Sequence, residues 1–167
     1  MIKKLHFQEK KTRKYIHIRK RGQEMGVFLD TGFFVGLSHP KDEWHERSKE
    51  NLLEMSTGKY GLIFTSPYVI AETATLILVR TKNNQEIIKK LYQYLYGTKR
   101  FVRILPWTAQ IEKTTWKIFQ EVNKKAKTSK SWLSFVDCSN IAFCRENNIE
   151  TIATFDNHFD GFLQRLK

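Results

Sequence analysis

A chain of 167 residues, 41% hydrophobic and 28% charged, fits one globular domain with a real core. Its 12 Phe, 6 Tyr and 4 Trp exclude a disordered chain. No apolar run approaches the roughly 18 residues that span a bilayer, and the N-terminus lacks the apolar centre of a secretory signal, so a cytoplasmic protein is expected. The formal charge of +12 suits a polyanionic partner, although residues 1–24 supply more than half of it, with nine Lys/Arg against Glu9 and Glu24. Cys138 and Cys144 stand alone, six residues apart, and read as reduced, partly buried thiols rather than a disulfide or metal pair.

In chain order, residues 1–24 show no sustained apolar period and read as a basic N-terminal extension: a nucleic-acid-binding arm, a solvated disordered leader, or the product of a start codon assigned too early. The domain proper is expected over residues 25–167. Val27–Leu29 reads as a buried strand, and residues 44–56 as a helix with Trp44, Leu52 and Met55 at apolar positions. Leu62–Thr65 is a second strand. Ser66-Pro67 then opens a helix to about Val79, with Ser at the cap and Pro in the first turn, where its missing N–H costs nothing. Residues 84–96 form another helix closed by Gly97. Residues 102–105 are a third strand, 108–125 a long helix, and 134–147 a further helix. Thr151–Ala153 is a fourth strand, and a short helix closes the chain. Strands alternating with helices imply an α/β fold with a parallel sheet covered on both faces. Binding sites in such sheets form beyond the carboxyl ends of the strands.

Four carboxylates fall there. Asp30 follows Val27–Leu29 directly, Glu72 lies in the second turn of the helix after Leu62–Thr65, Asp137 lies in a helix's first turn, and Asp156 sits three residues past Ala153. Each has a structural alternative: Asp137 completes a Ser134-x-x-Asp137 capping box, Glu72 can face solvent, and Asp156 can serve a turn. Asp30 is hardest to explain that way, because a carboxylate after a buried strand needs a partner. If the four converge, the crowding sets the chemistry. Two carboxylates about 5 Å apart repel by about 3 kcal/mol at an effective dielectric of 20. A divalent cation among them relieves that repulsion, and Mg²⁺ and Mn²⁺ prefer such oxygen donors.

The motifs Phe28-Leu29-Asp30-Thr31-Gly32-Phe33-Phe34, Ser66-Pro67-Tyr68-Val69-Ile70-Ala71-Glu72, Phe135-Val136-Asp137-Cys138-Ser139 and Thr151-Ile152-Ala153-Thr154-Phe155-Asp156-Asn157-His158-Phe159 resemble, in order and spacing, those of PIN-domain ribonucleases. The short chain is similar to the toxins of the VapC type. The resemblance implies a three-layer αβα fold with a central parallel sheet of four to five strands, and Mg²⁺- or Mn²⁺-dependent endonucleolytic cleavage of RNA. It implies Asp30, Asp137 and Asp156 as metal ligands, Glu72 as a ligand or water-mediated carboxylate, and Thr154 and Thr31 as groups steadying metal-bound water or a neighbouring carboxylate. Where many members carry a further acidic residue after Asp137, this chain has Asn140, which offers a hydrogen bond but no charge. The resemblance also implies a protein antitoxin as partner, and self-association into homodimers is common in the family.

Other readings fare less well. His39 and His45, with no Cys nearby, make a poor zinc site and fit a loop entering a helix. The basic stretches Lys124–Lys130, beside Trp132, and Lys99–Arg103 can follow an RNA backbone or simply cap helix ends. A non-catalytic RNA- or protein-binding module is the main alternative, but an RNA-binding surface gains nothing from four gathered carboxylates.

Overall fold

The computed structural model describes residues 26–167, so the expected basic extension over 1–24 lies outside the described residues. Five parallel strands form the central sheet: β1 (Gly26–Leu29), β2 (Leu62–Thr65), β3 (Arg103–Ile104), β4 (Thr151–Ala153) and β5 (Gln164–Leu166), in the order β3-β2-β1-β4-β5. Strand β1 is central because it is apolar throughout: Val27, Phe28 and Leu29 are fully buried, as a strand covered on both faces requires. It pairs with β2 through Phe28 and Phe64, and with β4 through Phe28 and Ile152.

Six α-helices lie among the described residues: α1 (Thr31–Ser38), α2 (His45–Ser56), α3 (Pro67–Arg80), α4 (Gln85–Leu95), α5 (Ala109–Lys125) and α6 (Phe135–Glu146). Helices α1 to α4 pack among themselves and α5 packs on α6. Right-handed crossovers place these two groups on opposite faces of the sheet, giving the expected three layers. Stacking of Phe28 on Phe143, with centroids 5.9 Å apart, ties the central strand to α6.

The helix starts follow the sequence signals. Ser66 caps α3 by accepting from the Val69 N–H with Pro67 in the first turn, Asn84 caps α4, and Thr108 caps α5 by accepting from the Ile111 N–H. Two expectations need correction. The chain closes with a short 3₁₀ turn, Asn157–Phe159, and then the edge strand β5, where a short helix was expected. Trp44 is the cap residue of α2, 41% exposed, whereas the helix was expected to begin at Trp44 itself. Helix α1 follows β1 without a loop and was not anticipated.

The chain leaves β1 toward β2, whereas β4 lies on the other flank of β1, with β5 beyond it. The crevice between the carboxyl ends of β1 and β4 is therefore where connections diverge, and backbone there is open to a ligand.

Candidate active site

Asp30 occupies the junction of β1 and α1. Its N–H donates to the Ala153 carbonyl (3.2 Å), which welds it to β4. Its carboxylate accepts from Asn140 Nδ2 (3.0 Å) and from Thr154 Oγ1 (2.7 Å), and the residue is only 6% exposed. Burial pushes its pKa up to about 7. The bond from Thr154 opposes that rise, and the charges of Asp137 and Glu72 add to it.

Each of the other carboxylates is held by a neighbour from its own or an adjoining element. Glu72, one turn into α3, accepts from the Thr31 hydroxyl at the start of α1. Asp137 and Ser134 form a reciprocal capping box at the start of α6, with each side chain accepting from the other's N–H at 3.0 Å. Burial raises the Asp137 carboxyl, the Ser134 bonds oppose the rise, and the nearby Asp156 charge adds to it. Asp156 begins the 3₁₀ turn after β4 and accepts from the His158 N–H (2.8 Å), with the imidazole Nδ1 at 3.3 Å. The structural roles weighed for Asp137 and Asp156 are thus real, and they coexist with a position at the cleft.

Thr154 links two of the acids: its hydroxyl donates to Asp30 and accepts from the Asp156 N–H (3.1 Å). Strand β5 supports it in turn, since the Thr154 N–H donates to the Leu166 carbonyl (3.2 Å). Asn140 supplies the hydrogen bond expected of it, while its buried Oδ1 has no partner among the described residues.

All six residues singled out in the sequence, Asp30, Thr31, Glu72, Asp137, Thr154 and Asp156, line one open cleft of about 460 Å³. Among the described residues, no three His, Cys, Asp or Glu side chains stand close enough together to hold a metal ion as they are placed. The cleft offers the donors without a closed coordination shell. The donor set itself suits a hard cation: it is all oxygen, and Asp30 is a buried acid whose charge is opposed by two neighbours of the same sign. The cysteines contribute no nucleophile. Both are buried; burial drives the Cys138 thiol to about 12 and the Cys144 thiol well above its usual range.

The cleft also holds residues that sequence reasoning did not assign to it, chiefly Trp44, Leu76, Arg80 and Phe155. Phe155 was flagged only by its place between Thr154 and Asp156. Trp44 and Phe155 are far apart in the chain, and no pattern in a single sequence joins them.

An α/β sheet with four carboxylates at its switch point is the arrangement of a PIN domain, and the sequence matches that family over residues 27–162; the chain belongs to it. It is 25% identical over 140 residues to the 23S rRNA-specific endonuclease VapC20 of Mycobacterium tuberculosis, covering 83% of this chain and 96% of that one. The crystal structure of VapC20, described as a sarcin–ricin loop cleaving toxin, superposes with a TM-score of 0.66 over 83% of this chain and 97% of that one. VapBC2 of Rickettsia felis, bound to a DNA fragment from its promoter, shares the fold at 19% identity and a TM-score of 0.61, over 85% of this chain and 98% of that one. FitAcB of Neisseria gonorrhoeae does so at 19% and 0.58, over 84% and 96%. No described helix is long and apolar enough to cross a membrane.

Proposed function

We propose that this protein is a divalent-metal-dependent endoribonuclease and the toxin of a type II toxin–antitoxin pair. The observation that carries the reading is the convergence of four carboxylates from distant stretches of chain on one cleft, with the most buried of them destabilised as an anion. The relationship to VapC20 supports nuclease chemistry, and the likeness to VapBC2 and FitAcB fits a protein antitoxin as partner.

In this reading Asp30, Asp137 and Asp156 hold Mg²⁺ or Mn²⁺, with Glu72 as a further ligand or one acting through water. When bound, the cation supplies activation of water and offset of charge on a phosphodiester. Everything else is positioning by the chain. Thr154 and Asn140 fix both oxygens of Asp30, so its carboxylate cannot rotate away from the cleft. Thr31 aims Glu72 from the turn that follows Asp30. The Ser134 capping box sets the direction of Asp137, and the Thr154 hydroxyl keeps Asp156 in register with Asp30.

The test is an assay of the purified protein on total RNA and transfer RNA with Mg²⁺, with Mn²⁺ and with chelator. Cleavage with either metal and none with chelator is expected. RNA binding without cleavage under all three conditions would favour a non-catalytic binding module instead. Removal of residues 1–24 is expected to leave the metal-dependent rate within about twofold of the full chain, because the family match begins at Val27 and every group placed in the cleft follows it. A loss of folding in thermal melts of the truncated chain would show that the extension belongs to the domain.

A further inference from the structure

One part of the cleft wall is aromatic. The rings of Trp44 and Phe155 stack with centroids 4.5 Å apart and planes within 7° of parallel, and both line the same cleft as the four carboxylates. Phe155 lies between Thr154, which donates to Asp30, and Asp156, so its backbone is tied to that of the acids. Behind it is the first turn of α1, where a Cβ on Gly32 would sit 3.9 Å from the Phe155 ring.

Trp44 is fixed from several sides. Its backbone presses so closely on α1 that a Cβ at Gly36 would come within 3.1 Å of the Trp44 carbonyl oxygen. The neighbouring His45 Nδ1 pairs with the Gly36 carbonyl at 2.7 Å. The Trp44 N–H donates to Asp42 Oδ1 (3.0 Å), and the other oxygen of Asp42 lies 3.7 Å from Arg80 Nη1. Despite this close backbone seat, Trp44 is 41% exposed. Burial in the core does not explain so firm a setting for an exposed ring. A flat aromatic surface beside a phosphodiester-cutting centre is what a nucleobase stacks on.

We propose that Trp44 is the base-stacking platform of the cleft, the side chain on which a base beside the bond that is cut lies flat. The base extends the two-ring stack by a third layer. Arg80, on the same cleft and half exposed, is the cation available to an adjoining phosphate. Stacking accepts any base but needs an uncovered face, so the platform selects looped or single-stranded RNA over duplex and imposes little sequence preference. This inference rests on the nuclease reading above.

The test binds a short single-stranded RNA carrying 2-aminopurine to the Asp30→Asn protein in Mg²⁺, in parallel with the same strand annealed to its complement. The expected result is quenching of the 2-aminopurine signal in the single strand and much weaker binding of the duplex. Trp44→Ala on that background is expected to weaken binding about tenfold and remove the quenching, while Trp44→Tyr retains both. An abasic nucleotide at the probe position is expected to lose the same affinity without any change to the protein, so the test survives a Trp44→Ala chain that fails to fold. Unchanged affinity and quenching in Trp44→Ala, or an abasic strand that binds as well as the intact one, overturns the platform and leaves the nuclease reading standing. Failure of the wild-type protein to cut any RNA overturns both.

Discussion

Asp30→Asn is expected to reduce RNA cleavage at least about a hundredfold while making the metal-free protein more stable, not less. The loss of activity follows from removing a carboxylate at the centre of the proposed cation site. The gain in stability follows from its burial. A carboxyl whose pKa rises from 3.8 to about 7 on folding is held more comfortably as the neutral acid. At this group the folded chain then binds more protons than the unfolded chain between those values, so its contribution to stability is full below about pH 4 and is lost as pH rises toward 7. The displacement corresponds to at most about 4 kcal/mol lost by neutral pH. An amide at position 30 carries no charge to bury. Its NH₂ group can be accommodated as well: Asn140 has a buried Oδ1, unpartnered among the described residues, that becomes an acceptor if its amide turns over, or the Thr154 hydroxyl can rotate to accept instead. Thermal melts in chelator at pH 5 and pH 8 check this. The wild-type protein should lose stability between the two and the Asn variant should lose less, since Asp137, whose carboxyl burial also raises, is still present. A variant that cuts RNA at the wild-type rate removes Asp30 from the chemistry.

Asp137 calls for a pair of substitutions, because it serves a helix end and a cleft together. Asp137→Asn keeps an oxygen to accept from the Ser134 N–H and is expected to melt close to wild type, yet to lose cleavage as severely as the Asp30 variant. Asp137→Ala loses the cap too, at about 1 kcal/mol, and its melting temperature is expected to fall by about 2–4 °C further. Full activity in Asp137→Asn would reduce the residue to its capping duty.

Much of the architecture was written in local signals. The caps at Ser66, Asn84, Thr108 and Ser134 lie at the starts of α3, α4, α5 and α6 because a side-chain oxygen facing the first free N–H groups is a short-range event. The carboxylates were visible for a related reason: each follows a strand or opens a helix, and the topology of a parallel sheet brings those junctions to one edge. Helix α1 escaped because seven of its eight residues are buried, which erases the polar face that reveals a helix. Strand β5 escaped because it is three residues long, lies at the sheet's edge, and has an exposed Gln164 and a nearly buried Arg165 that pairs with Asp160. The aromatic stack of Trp44 on Phe155 depends on a tertiary approach across more than half the chain, which neither period nor propensity encodes.

The placement of β1 between β2 and β4 also bears on the order in which the proposed site is put together during synthesis. Asp30 is among the first parts of the domain to be synthesised, but the residues that anchor it, Asn140, Ala153 and Thr154, are among the last. While those residues are still inside the ribosome, the N-terminal half has no partner strand for that flank of β1 and no Thr154 to orient the acid. On the proposed nuclease reading, the acid at position 30 gains its supports only once Asn140, Ala153 and Thr154 have been made, so that site is assembled late in synthesis.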